Sequence, residues 1–137
     1  MRYLTVQDML WINLQVTGQP QKFVYATLEE ATFTQYVYGD STPAAEHAAQ
    51  FLTGWAKFQP FSAGNELTGA VAFLTFLKLN SLELTGVSGN PLTWTESVKN
   101  DRAAVLAAIS ESHDGHGEPT PARAIIRDVL ALLPIPA

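Results

Sequence analysis

The chain contains no cysteine, which excludes disulfides, thiolate metal sites and a cysteine nucleophile, and leaves the redox compartment undetermined. It is also poor in charge. Only 15% of its residues are charged, and 8 basic residues stand against 13 acidic ones, for a net charge of −5 at pH 7. No cluster of Lys or Arg appears, so there is no basic field to attract a phosphate backbone, and nucleic acid is not expected as a direct ligand. No apolar run reaches the roughly 20 residues of a membrane-spanning helix. The longest, Leu67 to Leu79, is interrupted by Thr68, Thr75 and Lys78. The opening MRYLTVQDML puts polar Gln7-Asp8 where a signal peptide has its apolar core, and no small-residue cleavage site follows. The expectation is a cytoplasmic chain with no membrane partner.

What is present is a core. Over 137 residues the apolar share is 47%, the balance of a folded globular domain, and a chain of this length buries well over half of the surface its unfolded form exposes. One domain covering residues 1–137 is expected, since no repeat, charge block or long linker divides the chain.

Helical signals dominate. Thr5 and Asp8 resemble a capping box that launches a helix to about Val16, stopped by Gly18 and Pro20, with Val6, Met9, Leu10 and Leu14 as its inner face. Thr27 to Tyr38 opens as a helix and continues as a loop, because Thr-Phe-Thr-Gln-Tyr-Val-Tyr favours extended backbone. Thr42-Pro43 starts a helix to about Lys57 whose Ala45, Ala48, Ala49, Leu52, Trp55 and Ala56 face the core, while Glu46, Gln50, Thr53 and Lys57 gather opposite, with His47 exposed beside Glu46. From Asn65 to Asn80 the helix is apolar almost all round, as expected of a central helix. Gly86 to Pro91 is a connection, Thr95 to Ser112 is helical, and Thr120-Pro121 launches a last helix through Ile125, Ile126, Val129, Leu130 and Leu133, ended at Pro134. The fold class is all-α, a bundle of about six helices around a central apolar one.

Between the two best helices lies Phe58-Gln-Pro-Phe-Ser-Ala-Gly-Asn-Glu-Leu-Thr68, a tight loop with its glycine at a helix start. Free amides at a helix N-terminus, approached past a glycine, can hold an anion without any charged side chain. Ser62, Gly64, Asn65 and Thr68 are the ligand-binding candidates there, with Pro60 and Phe61 as structural members. For Gln59 and Asn65, bracing of the loop by two amides is favoured over ligand binding.

This segment resembles the signature of the death-on-curing (Doc) branch of the Fic family, approximately H-P-F-x-D-G-N-K-R-T between two helices. Pro60, Phe61, Gly64, Asn65 and Thr68 match, together with the flanking helices Ala48-Ala49…Leu52 and Ala70 to Asn80 and the opening Tyr3-Leu4-Thr5. The likeness is strong from about Ala44 to Leu84, weak at the N-terminal segment, and nearly absent beyond Pro91. It implies a Fic/Doc-like bundle. Active members transfer AMP or a phosphoryl group from nucleoside triphosphates to protein hydroxyls, and Doc toxins are restrained by an antitoxin helix.

Four positions depart from that pattern, and they are the reagents. The family's general base is Gln59 here, which cannot take a proton near neutral pH. The acidic residue that would hold Mg²⁺ on the nucleotide is Ala63, with no oxygen ligand on its side chain. The lysine and arginine that would neutralise phosphate charge are Glu66 and Leu67. The resemblance therefore implies no catalytic residue, no metal and no cofactor, and a binding or regulatory role of toxin–antitoxin type with an antitoxin-like helix as partner. Two alternatives stand beside it: an active transferase of altered chemistry, using nucleotide with Mg²⁺, and a purely structural or interaction protein. Nothing in the sequence indicates an oligomeric state, and no inhibitory Ser/Thr-Glu-Gly or Glu-Asn helix motif is present.

Other constellations have simpler readings. His113-Asp-Gly-His-Gly-Glu118 offers metal-ligating types within six residues, but two glycines on no fixed helical face read as a solvated turn. Trp11, Trp55, Trp94, Phe73 and Phe76 read as packing. Ser62 has no histidine near it in sequence to activate it, which argues against a serine hydrolase.

Overall fold

The computed structural model describes residues 1–37, 42–84, 91–111 and 120–132. Its first helix, α1 (Val6–Thr17), begins as its sequence dictates: Thr5 Oγ1 accepts from the Asp8 amide at 3.1 Å while the Thr5 amide donates to Asp8 Oδ2 at 2.8 Å, and Gly18 closes the helix at φ +78°. The inner face differs from the expected one. Met9, Ile12 and Asn13 are buried, Val6 and Leu10 are half-buried, and Leu14 is turned outward. Apolar residues surround much of α1, so its rotation is decided by what Asn13 bonds to across the interface.

Helix α2 (Tyr25–Phe33) gives way to a turn at Thr34 and Gln35, the expected helix-then-loop. Helix α3 (Ala44–Phe58) has Pro43 as its N-cap in place of a first-turn proline behind Thr42. It buries Ala48, Ala49, Leu52 and Trp55 as expected, and Phe51 and His47 as well. His47 corrects the reading of an exposed residue. Its Nδ1 lies 2.8 Å from the carbonyl of Gln35, which can only accept, so Nδ1 carries the proton. The polar side of α3 is a docking surface: His47 and Gln50 hold the segment after α2, and Glu46 pairs with Arg102.

Helix α4 (Asn65–Leu79) packs against α1, α3, α5 and α7 and is the centre of the bundle. Ten of its 15 residues are buried, Thr68 and Thr75 among them, whereas Lys78 reaches solvent. Thr75 is accommodated by donating its hydroxyl to the Val71 carbonyl at 2.7 Å.

Beyond α4 the chain is less regular than expected. The single helix from Thr95 to Ser112 is instead α5 (Pro91–Val98), α6 (Arg102–Ala108) and β2 (Ile109–Glu111), the last pairing antiparallel with β1 (Leu82–Leu84). The break has a local cause: the Asp101 side chain accepts from the Ala104 amide at 3.1 Å and starts α6 afresh. Helix α7 (Ala122–Leu132) buries Ile125, Ile126 and Val129, with Leu130 half-buried. The protein is thus an all-α bundle with seven helices and one two-stranded ribbon among the described residues. None of these helices is long and apolar enough to cross a membrane. Tyr38, residues 86–90, the His113–Glu118 constellation and Leu133-Pro134 lie outside the described residues.

Three side-chain amides tie extended segments into the bundle by imitating a neighbouring strand. Gln35 bonds both the amide and the carbonyl of Leu4 (2.8 and 2.6 Å), Asn80 bonds both of Arg2 (2.9 and 2.8 Å), and Asn65 bonds both of Phe61 (2.8 and 2.6 Å). A carboxamide presents one acceptor and two donors, so a single Asn or Gln satisfies a peptide unit where no strand is available.

Candidate functional site

The loop from Phe58 to Thr68 is shaped by two left-handed residues. Gln59 closes α3 at φ +43°, with its amide donating to the Trp55 carbonyl at 3.2 Å, and Gly64 precedes α4 at φ +78°. A side chain at Gly64 is opposed twice, by its backbone conformation and by Thr17, whose Cγ2 would lie 2.5 Å from an added Cβ. Between them Pro60 and Phe61 are buried, and Phe61 forms an isolated antiparallel bridge with Phe23. Asn65 then clasps Phe61, as the bracing reading expects, while Gln59 Nε2 makes a longer bond of 3.3 Å to the Ala56 carbonyl.

Seen from α1, the loop is saturated. Buried Asn13 donates through Nδ2 to the Ala63 carbonyl at 3.0 Å and to Thr68 Oγ1 at 3.1 Å. Thr68, a ligand-binding candidate from the sequence, is completely buried under this bond. Ser62 is exposed on the same side, donating its hydroxyl to Gln21 Oε1 at 3.0 Å and its amide to the Lys22 carbonyl at 2.9 Å. His47, the one histidine among the described residues, is engaged elsewhere, with Gln35. The candidates therefore do not converge: Thr68 is a core residue, while Ser62 and Gly64 face the α1 side.

On the opposite side, α3, the first turns of α4 and α5 enclose an open cleft of about 130 Å³. Leu52, Trp55, Ala56, Leu67, Gly69 and Ala70 form its apolar part; Gln59, Asn65, Glu66, Thr95, Glu96 and Lys99 supply its polar groups. Gly69 is required by Trp55, whose Cδ1 would lie 2.4 Å from an added Cβ, and the indole is pinned by its Nε1–H donating to the Asn65 carbonyl at 2.8 Å. Three of the four positions that depart from the signature the loop resembles, Gln59, Glu66 and Leu67, line this cleft, whereas Ala63 does not.

Charge is concentrated at the mouth. Lys99 Nζ lies 2.7 Å from Glu66 Oε1. That hydrogen bond, with the charge of Lys99, holds the Glu66 carboxyl below the usual carboxylate range, opposed by partial burial. Glu66 is therefore ionised at neutral pH, one residue into the first turn of α4 past Asn65. The amides of Asn65, Glu66 and Leu67 have no acceptor among the described residues, as at any helix start without a side-chain cap. No group of three His, Asp or Glu residues suited to a metal ion occurs among the described residues.

The cleft residues on α5 were not suggested by the sequence. Thr95, Glu96 and Lys99 lie some 30 positions after the loop, in a segment without a motif, and only the packing of α5 on α4 brings them to it. Trp55 was assigned to packing; it is buried, and it also forms part of the cleft floor. No family model matches the chain, and neither a curated protein nor a solved structure matches it.

Proposed function

We propose that this chain is a Doc/Fic-like protein that binds, or regulates by binding, and does not carry out the family's nucleotide-dependent transfer. One observation carries the reading. Ionised Glu66, paired with Lys99 and beside Glu96, stands in the first turn of α4 where the resemblance calls for a lysine against phosphate. Two unit charges of like sign at 4 Å repel by about 1 kcal/mol in bulk water and about 4 kcal/mol near a protein surface. With Glu66 and Glu96 against Lys99 alone, the side chains there carry one net negative charge where the resemblance calls for a lysine and an arginine, so a triphosphate gains no countercharge. Gln59 and Ala63 add no base and no metal ligand.

What remains is shape. Pro60, Phe61, Gly64 and Asn65 hold the loop by burial, backbone conformation and hydrogen bonds, and none of these needs a substrate. A partner of the antitoxin-helix type, apolar on one face, is the kind of ligand such a bundle accepts in a groove.

The test is restoration. The quadruple variant Gln59→His, Ala63→Asp, Glu66→Lys, Leu67→Arg is expected to acquire ATP or GTP binding with Mg²⁺ by calorimetry, whereas the natural chain shows no heat and transfers no label to lysate proteins. A folded quadruple variant that stays inert would sink the family reading. Label transfer by the natural chain, lost on Gln59→Ala, would sink the binding one.

A further inference from the structure

We infer that the cleft between α3, α4 and α5 is a small-molecule site for a ligand with an apolar body and one cationic nitrogen, an aryl- or alkylammonium. This deepens the binding reading and rests on it, naming what the same cleft accepts. The volume, about 130 Å³, is close to that of an engineered apolar cavity of roughly 150 Å³ that takes up benzene. The floor of Leu52, Trp55, Gly69 and Ala70 has no polar side chain to satisfy except the indole N–H, which already donates to the Asn65 carbonyl.

Selectivity comes from the rim. Three donors there each already serve one acceptor: Lys99 Nζ the Glu66 carboxylate, Asn65 Nδ2 the Phe61 carbonyl, and Gln59 Nε2 the Ala56 carbonyl. The acceptors are in excess, with two carboxylates, Glu66 and Glu96, against one ammonium and with Gln59 Oε1 unmatched among the described residues. The polar side chains of the cleft thus sum to one negative charge, placed where a second ammonium would be bonded and paired. A donor-bearing cation there finds carboxylate acceptors, whereas a carboxylate of the same shape meets the repulsion of two carboxylates against one ammonium already paired with Glu66.

The uncapped amides at the start of α4 do not reverse this preference. Amides at a helix N-terminus point along the axis, towards the loop of Ser62, Ala63 and Gly64, none of which lines the cleft.

Tryptamine and indole-3-propionate share a ring and nearly a length, and differ in the sign of their charge. With the purified full chain at pH 7, followed by backbone amide NMR, tryptamine is expected to shift Glu66, Gly69, Ala70 and Thr95 saturably. Its Kd should be at least tenfold below that of indole-3-propionate, about 1.4 kcal/mol. The Glu66→Gln, Glu96→Gln double variant changes two exposed side chains and should fold normally; in it the preference should disappear. Ala56→Phe, which fills the cleft, should remove both ligands. Equal or tighter binding of the carboxylate, a preference that survives the double variant, or no saturable shift with tryptamine at millimolar concentration would each overturn the inference. ATP added to the same sample separates the two readings. Nucleotide binding overturns the proposed function, whereas failed charge selection with no nucleotide binding overturns the ligand class alone.

Discussion

The two sides of the Phe58–Thr68 loop are built on opposite principles. Towards α1, the buried Asn13 bonds the Ala63 carbonyl and the Thr68 hydroxyl, and a side chain at Gly64 would press on Thr17. Towards α5 an apolar cleft opens under Gln59, Glu66, Glu96 and Lys99, with acceptors to spare. A motif's shape and its chemistry can therefore reside on different faces of one loop. Of the residues that fit the signature the loop resembles, Gly64 and Thr68 meet α1 while Asn65 lines the cleft, and the α5 side carries three of the four positions that depart from it.

Substitutions on the α1 side should change stability and leave ligand selection intact, and those on the α5 side the reverse. Trp55 floors the cleft and also holds the Asn65 carbonyl of the loop, so it gives the largest effect: Trp55→Ala empties the floor, frees that carbonyl, and should lower unfolding free energy by about 3–5 kcal/mol in urea titration. A loss under 1 kcal/mol would mean the floor is not packed as described. Next, Asn13→Leu removes both donors to the loop and leaves the buried Thr68 hydroxyl without its partner, at about 1–3 kcal/mol by the same measurement. Tryptamine selectivity should survive in it; if selectivity falls with stability, the two faces are not independent.

Gly64→Ala is expected to cost about 1–2 kcal/mol from left-handed backbone alone, and more if Thr17 cannot turn aside. Gly64→Asn should cost less than Gly64→Ala, because Asn tolerates that conformation. The reverse order in thermal unfolding would assign the cost to Thr17 instead. Smallest is Glu66→Gln, whose exposed pair with Lys99 contributes under about 1 kcal/mol. Its sign with pH is fixed. Since folding lowers the Glu66 pKa, its contribution is present above about pH 4.5, the ordinary value, and is lost as pH falls through the lower folded value. The natural chain and Glu66→Gln should thus converge in stability below that window, and a gap that widens at low pH would contradict the pairing.

Much of the fold was legible. The Thr5/Asp8 box, the apolar periodicity of α3, the all-round apolarity of α4 and the hydroxyl–proline start of α7 are local signals, and each corresponds to an element found. The misreadings came where local signals compete. Ile109 to Glu111 continues a helical pattern in sequence yet pairs with Leu82 to Leu84, and His47 looks solvated on a polar stripe that the segment after α2 covers. Of the site, Gln59, Asn65, Glu66 and Leu67 were visible as motif positions; Thr95, Glu96 and Lys99 were not.

By itself the amino-acid sequence determined what depends on neighbours along the chain: where α1 and α4 start, that Gly64 suits a turn of the backbone, and that Gln59 and Ala63 offer neither a base nor an acidic metal ligand. These are properties of single residues and short spacings. Tertiary structure alone decided which side of α1 faces inward, that Thr68 is sealed and not offered to a ligand, and that Lys99 meets Glu66 across a cleft. Such facts arise where helices distant in sequence pack together, and their energy resides in contacts that no local pattern records.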